Sequence, residues 1–319
     1  MAATATDGRH DTVGHRRRWD PRLYQISVLA GLVLYGLGRL GFDLPGAHAV
    51  IILATVLLVQ FAATRLSGLS RFDPKSALIS GLSLCLLLRT NSLELVIVTA
   101  AVAIASKFVV RIGGKHVFNP TNVALVAMML LTGQVWVSPG QWGSTAVFGF
   151  LLASAGGLVV NRAARSDVTV TFLAAYAALL IGRSLWLGEP LSIPVHRLES
   201  GALVLFAFFM ISDPKTTPDS RTGRMLFATL VAAGAWVIQF KLFRTNGLLW
   251  SLALFSLIVP LIDRLLPGRR YAWDRPAGLP TTTNGDRHEA HDPRYQPAAP
   301  HALLDPRGAG LLRILRRQG

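Results

Sequence analysis

Strongly apolar stretches recur along this chain with a length of about 15–22 residues, which is what a helix needs to cross a bilayer core of roughly 30 Å. About ten are present, at residues 25–42, 47–65, 76–88, 92–109, 120–137, 144–161, 168–187, 199–212, 224–243 and 246–266. The third and eighth are short for a full crossing. Hydrophobic residues make up 51% of the 319-residue chain and charged residues only 15%, more apolar surface than a soluble domain can bury. The expectation is an all-α polytopic membrane protein of about ten transmembrane helices.

Lysine and arginine set the orientation, because they accumulate in cytoplasmic segments. With the N-terminus inside, those segments carry Arg16, Arg17, Arg18 and Arg22, then Arg65, Arg71 and Lys75, then Lys107, Arg111 and Lys115, then Arg162 and Arg165, then Lys215, Arg221 and Arg224, and finally Arg264, Arg269 and Arg270. The opposite side holds fewer and has none between the fifth and sixth stretches. The net charge of +15 is therefore read as a topology signal, and its dispersal argues against nucleic-acid binding. Residues 1–22 form a basic cytoplasmic tail, 23–267 the membrane domain, and 268–319 a flexible cytoplasmic tail rich in Pro, Arg, His and Asp. The closing "GLLRILRRQG" reads either as a short basic amphipathic helix on anionic lipid or as a frayed end. The expected location is a membrane with both termini cytoplasmic.

A single cysteine, Cys85, excludes an intramolecular disulfide and any all-cysteine metal site built by one chain, and reads first as a small buried hydrophobe. No metal-ligand spacing, phosphate loop or nucleophile elbow is present.

Polar chemistry concentrates at two seams. Asp20-Pro21, Asp73-Pro74, Asn119-Pro120 and Asp213-Pro214 each precede an apolar stretch, and an Asx side chain followed by proline is a helix start. That accounts for Asn119 and Asp213 but not for their neighbours. At "GGKHVFNPTN", Gly113 and Gly114 permit a tight turn, and Lys115, His116, Asn119 and Asn122 follow within nine residues. A helix N-terminus with a lysine beside it is a ready anion site. At "ISDPKTTPDSRTGR", Asp213, Lys215, Thr216, Thr217 and Arg221 crowd a segment where the helix is expected to break at Asp213 and restart near Pro218. The two short stretches, third and eighth, occupy matching places in halves of five. An odd number per half makes the repeats inverted, spanning about 23–140 and 141–267, with a central site between them.

Together, "KHVFNPTN", "FFMISDPKTTP" and about ten spans resemble the RnfD/NqrB family, the membrane subunits of the Rnf electron-transport complex and the sodium-pumping NADH:quinone oxidoreductase. The resemblance covers roughly residues 24–266. It implies a membrane subunit that works with other membrane subunits of a redox complex and couples electron flow to cation movement. It also implies flavin, usually FMN tethered to a threonine in a Ser-Gly-Ala-Thr motif. Here Ser200-Gly201-Ala202 is followed by Leu203, and the loop "SPGQWGS" is short. The chain thus looks closer to stand-alone actinobacterial-type members, with FMN or riboflavin held noncovalently rather than esterified. Within that resemblance Lys115, Lys215 and Arg221 would face phosphate or quinone oxygens. Asn119, Asn122, Thr216 and Thr217 would supply hydrogen bonds, and Asp213 would be the proton or cation group. A small-solute or ion channel on the same scaffold, without redox chemistry, is the second reading. A purely structural subunit is the third.

Overall fold

The computed structural model describes residues 20–69, 72–138 and 165–271. Residues 1–19, 70–71, 139–164 and 272–319, with the sixth apolar stretch at 144–161 among them, lie outside the described residues. Within them the chain is helical apart from one hairpin. The helices are α1 (Pro21–Gly38), α2 (Gly46–Leu66), α3 (Pro74–Leu87), α4 (Leu93–Val109), α5 (Pro120–Thr132), α6 (Ser166–Leu187), α7 (Ser192–Leu198), α8 (Gly201–Leu205), α9 (Arg221–Phe240), α10 (Gly247–Ser256) and α11 (Val259–Leu265). Leu34, Leu58, Leu131, Val170, Leu185 and Leu254 stand exposed along them. Outward-facing apolar side chains in such numbers mark a surface made for lipid.

By length and composition alone three helices suffice to cross a membrane, Gly46–Leu66, Ser166–Leu187 and Arg221–Phe240, or five if two bent pairs each count as one crossing. Helices α1, α3 and α5 are apolar but shorter. The chain is a polytopic helical membrane protein, and its described helices fall on nine of the expected stretches. Two of these are interrupted rather than continuous. The tenth breaks into α10 and α11 with a 50° bend, since Pro260 lacks the N–H that would bond to the Ser256 carbonyl one turn earlier. The eighth holds α8, which is bent by 47° from α7 just before the stretch, and ends in a π-type turn, Phe206–Met210. There the Ile211 N–H reaches the Phe206 carbonyl at 3.0 Å. Such widened turns break the regular ladder and are frequent at functional sites.

Asn119 caps α5 as expected, its Oδ1 accepting from the Asn122 N–H, and Asp20 caps α1 through the Arg22 N–H. Asp73 stands at the N-cap of α3 without bonding the backbone and instead accepts from Arg22 Nη1 at 2.8 Å. Asp213-Pro214 differs from the expectation: no helix starts there. The Asp213 side chain closes a turn by accepting the Lys215 N–H, and helix resumes only at Arg221 under a Ser220 cap.

Helix α3 packs on α1 and α2, α2 on α4, and α4 on α5; α9 packs on α6 and α10, and α10 meets α5. The same burial register appears twice in this arrangement. Ala49, Ile52, Val56, Gln60 and Thr64 are the buried residues of α2, and Thr169, Phe172, Tyr176, Leu180 and Ser184 are buried in α6 at a constant offset of 120. Both helices end alike: Gly68 and Gly188 are left-handed, and the next N–H returns to the Thr64 and Ser184 carbonyls respectively. In α4, Thr99, Ala100, Ala103, Ile104 and Lys107 match Phe227, Ala228, Val231, Ala232 and Ala235 of α9 at an offset of 128. Ser92 and Ser220, at that offset, cap those two helices through the N–H three residues on. Asn119 and Asn246 open α5 and α10 at an offset of 127.

Where α9 and α10 meet, a Cβ on Gly247 would lie 2.8 Å from the Ala235 carbonyl oxygen, a backbone atom that cannot swing aside. Nothing lies within 4 Å of a Cβ on Gly31. Gly247→Ala is expected to lower stability by about 1–3 kcal/mol, and Gly31→Ala to leave it unchanged or raise it by up to about 1 kcal/mol. Thermal unfolding in detergent checks both. Equal effects would contradict the packing of α9 on α10.

Candidate functional site

The first seam is a two-strand hairpin, β1 (Arg111–Ile112) and β2 (Lys115–His116), with Arg111 opposite His116 and Ile112 opposite Lys115. A two-residue hairpin loop with both φ angles positive is the turn that suits antiparallel strands, and Gly113 (55°) and Gly114 (79°) supply it. The hairpin points Lys115 and His116 in different directions. Lys115 Nζ donates to Asp219 Oδ1 at 2.9 Å and to Asp263 Oδ2 at 2.7 Å, and Asp263 Oδ1 also accepts the Asp219 N–H at 2.7 Å. Lys115 is therefore a clamp between the hairpin, the second seam and α11. Arg221 is exposed in the first turn of α9 and lines no cavity with the other seam residues.

His116, Asn119, Asp213 and Lys215 do converge. They line a cavity of about 60 Å³ together with Arg22 and Gln25 of α1, Ser76, Ser80 and Ser83 of α3, Lys107 of α4, Thr121 of α5, and Phe209 and Met210 of the π turn. A space of that size holds a few waters. Asn119 Nδ2 donates across the two seams, to the Met210 carbonyl at 3.4 Å and to Asp213 Oδ2 at 3.5 Å. Lys107, six per cent exposed, donates to the Ser76 carbonyl at 2.8 Å and to Ser76 Oγ at 3.1 Å. Behind the cavity wall, Asn122 Nδ2 donates to the Leu249 carbonyl at 3.1 Å, while its Oδ1 has no partner among the described residues. Thr216 Oγ1 donates to the Asp213 carbonyl, and the N–H groups of Thr216 and Thr217 bond the same oxygen; Thr217 Oγ1 is buried without a partner among the described residues.

Electrostatically the cavity is positive. Burial pushes the Asp213 carboxyl up from its ordinary range, opposed by the Lys215 N–H and by the charges of Lys215, Lys107 and Arg165. Burial, reinforced by Arg111, Lys215 and Lys107, lowers His116 to about 4, so the ring is neutral near pH 7. The ring bonds the Lys107 backbone, and its buried Nδ1 has no partner among the described residues. At the rim, burial alone would raise the Asp20 carboxyl, but hydrogen bonds from Arg22 and Lys75 outweigh it and hold the group well below the carboxylate range.

On the far side of Met210 lies a second pocket of about 250 Å³, lined by Leu87, Tyr176, Arg197, Ser200, Leu203, Phe206, Gln239 and the start of α10 at Asn246–Leu249. Asn246, Gly247 and Leu248 open α10 in its wall, as Asn119, Pro120 and Thr121 open α5 in the wall of the first. The first, the inner cavity, is hydroxyl-rich; the second, the outer pocket, is largely apolar, with Tyr176 Oη donating to Gln239 Oε1 at 2.8 Å.

Sequence reasoning misses Lys107 and the α3 serines as cavity residues. Lys107 reads as a topology charge, although it falls two residues inside its apolar stretch. Ser76, Ser80 and Ser83, at i, i+4 and i+7, share one helix face, which is the signal that could have found them. No group of three or more His, Cys, Asp or Glu side chains able to hold a metal exists among the described residues.

A helical membrane protein with a polar cavity at an interrupted helix, faced by an apolar pocket across the break, is the class these features define. Residues 128–272 match the NQR2, RnfD, RnfE family. The chain is similar to the RnfD subunit of the ion-translocating oxidoreductase complex of Erwinia tasmaniensis, 33% identical over 150 residues, 46% of this chain and 40% of that one. It is also similar to the proteins of the same name from Escherichia coli K12 (31% over 142 residues, 44% and 38%) and Sodalis glossinidius (34% over 141 residues, 43% and 39%). The matches span about two fifths of these relatives' length. They bear out the RnfD/NqrB resemblance that the two motifs carry, although the first motif lies before the residues the family match covers.

Two outcomes check the site. Lys115→Met leaves Asp219 and Asp263 facing one another without their shared ammonium, and is expected to cost about 3 kcal/mol or more and to speed amide exchange in the hairpin. For His116, the folded-state pKa lies below the unfolded value, so the unfolded chain binds the extra proton. Stability should therefore fall as pH drops from 6.5 towards 4, and His116→Gln should flatten that slope.

Proposed function

We propose that this chain is an integral membrane subunit of an RnfD/NqrB-like electron-transport system, in which the cavity bounded by Asn119 and Asp213 is part of a path coupling redox chemistry to cation movement. Its partners are the bilayer and other membrane subunits of the complex, in a bacterial inner membrane with both termini cytoplasmic. The scaffold is ten transmembrane helices in two inverted five-helix repeats, about 23–140 and 141–267. The paired burial registers, the paired serine caps and the Asn122–Leu249 contact between equivalent positions support that reading. The observation that carries the function is the pair of equivalent pockets meeting at Met210: two openings, one polar and one apolar, separated by a single broken helix. Central sites of transporters with inverted repeats are built this way.

Covalent FMN does not fit. Leu203, three per cent exposed in the outer pocket wall, has no hydroxyl to esterify. Nor does the inner cavity accommodate an isoalloxazine, being far below the roughly 300–1,000 Å³ of ordinary ligand pockets. For noncovalent FMN or riboflavin the outer pocket is the better match, with Tyr176 and Phe206 as aromatic walls and Arg197 and Gln239 as polar groups. A flavin there would supply electron transfer, while the chain's own residues orient it and exclude water. The competing reading, a channel or transporter for a small solute without redox chemistry, is favoured by the same Leu203 and the same small inner cavity.

The test is Asp213→Asn combined with Lys215→Ala. Coupled ion movement should be lost with membrane insertion intact, and unaltered activity would refute the role of the cavity. The visible spectrum of the purified chain then separates the two readings. Flavin absorption that is released by acid supports a redox subunit with noncovalent flavin, and a colourless, folded protein supports the solute path.

A further inference from the structure

We propose that the ion handled at the inner cavity is a proton, accepted by Asp213, and that the ammonium of Lys107 occupies the place an alkali-metal cation would need. This rests on the reading of the cavity as an ion path, and narrows it to one ion.

The charges around Asp213 carry the argument. Arg22 faces the cavity from α1, Asp73 and Lys75 stand at the start of α3, Lys107 projects from α4, and His116 comes from the hairpin. Arg165 reaches from the start of α6, bonding the Pro214 carbonyl at 3.4 Å, Lys215 lies on the same turn, and Tyr271 follows α11. Arg22 is bound to Asp20 and Asp73, and Lys75 to Asp20. Lys107, Lys215 and Arg165 form no ion pair among the described residues. With Asp73 held by Arg22, Asp213 is the carboxylate left facing these three cations. A further metal cation would enter against their repulsion and without a second unpaired carboxylate. A proton placed on Asp213 instead removes the buried negative charge that burial already disfavours.

Oxygen supply points the same way. Hard cations are held by several oxygens at once, and several oxygens of this cavity already serve bonds within the protein. The Ser76 carbonyl and hydroxyl accept from Lys107. Ser80 Oγ donates to the Ser76 carbonyl, Thr121 Oγ1 to the Ser80 carbonyl, and Asn119 Oδ1 accepts from Asn122. The open positions suit protons. Asp213 Oδ2 receives only the long 3.5 Å contact from Asn119 Nδ2, and His116 Nδ1 is a buried acceptor to which nothing donates among the described residues. A space for a few waters links these groups, enough for a hydrogen-bonded relay from the cytoplasmic side. The repeat supplies a contrast, because the position equivalent to Lys107 is Ala235, on the side where the pocket is apolar and carries no carboxylate among its lining residues.

The experiment is an infrared pH titration of the full chain in lipid nanodiscs, with either sodium or choline chloride as the salt. The expected result is a protonated-carboxyl C=O band, missing in Asp213→Asn, whose midpoint is the same in both salts. In Lys107→Met the midpoint should move up by about one pH unit or more, since a favourable positive neighbour is gone. A midpoint that falls as sodium rises would assign the site to the metal ion, and absence of the band across the pH range in which the wild type stays folded would remove Asp213 as the acceptor; either overturns the proposal. The salt comparison on the wild type stands even if Lys107→Met fails to fold. Because the titration needs no partner subunit or electron donor, its failure is separable from failure of the redox reading.

Discussion

A helix that stops inside a membrane protein must have its loose backbone groups and any charge at the break satisfied by other parts of the protein. In this chain the break is the segment between Met210 and Arg221, and its satisfaction comes from elements on both sides of it in sequence. Asn119 bonds both the Met210 carbonyl and Asp213 Oδ2 while capping its own helix with its remaining oxygen. Arg165 takes the Pro214 carbonyl, and the Lys115–Asp219–Asp263 network fixes the far end. One asparagine thus ties the start of α5 to the end of the π turn. That tie supplies the donor from α5 that faces both the Met210 carbonyl and the Asp213 carboxylate.

The tie also explains why the first seam contains two asparagines. Asn119 acts along the seam, and Asn122, one turn on, acts through the middle of the molecule by bonding the Leu249 carbonyl. Leu249 lies three residues after Asn246 at the start of α10, as Asn122 lies three after Asn119 at the start of α5. The buried amide therefore fixes the register of α5 against α10.

Much of this is legible in the residues. Long apolar stretches give helices at the expected places, and Asn119-Pro120 announces its helix because side-chain capping and proline's missing N–H are local effects. Gly113-Gly114 announces the hairpin turn for the same kind of reason. What is not legible depends on distant partners. Asp213-Pro214 has the same local chemistry as Asn119-Pro120, but its carboxylate faces Asn119 Nδ2 from 94 residues away while closing a turn on the Lys215 N–H, and Ser220 caps instead. Lys115 has the local setting of an anion ligand, yet two aspartates, 104 and 148 residues away in sequence, claim its ammonium. Lys107 has the setting of an orientation signal, because a lysine near a span end usually is one. Its burial against Ser76 comes from the packing of α4 beside the start of α3, which no window of sequence contains.

The two pockets that meet at Met210 differ in the side chains that line them. Ser76, Ser80, Ser83 and Thr121 give the inner cavity its hydroxyls, while the outer pocket presents Leu203, Phe206 and Leu248 beside Ser200. The same α-helical register that buries Lys107 on one side buries Ala235 on the other. The polar cavity suits charge and water, whereas the apolar surface beyond Met210 opposes them, since moving an ion into an apolar pocket without partners is strongly unfavourable. Between the two spaces stand Met210 and the π turn, where the helical ladder is already opened by one residue.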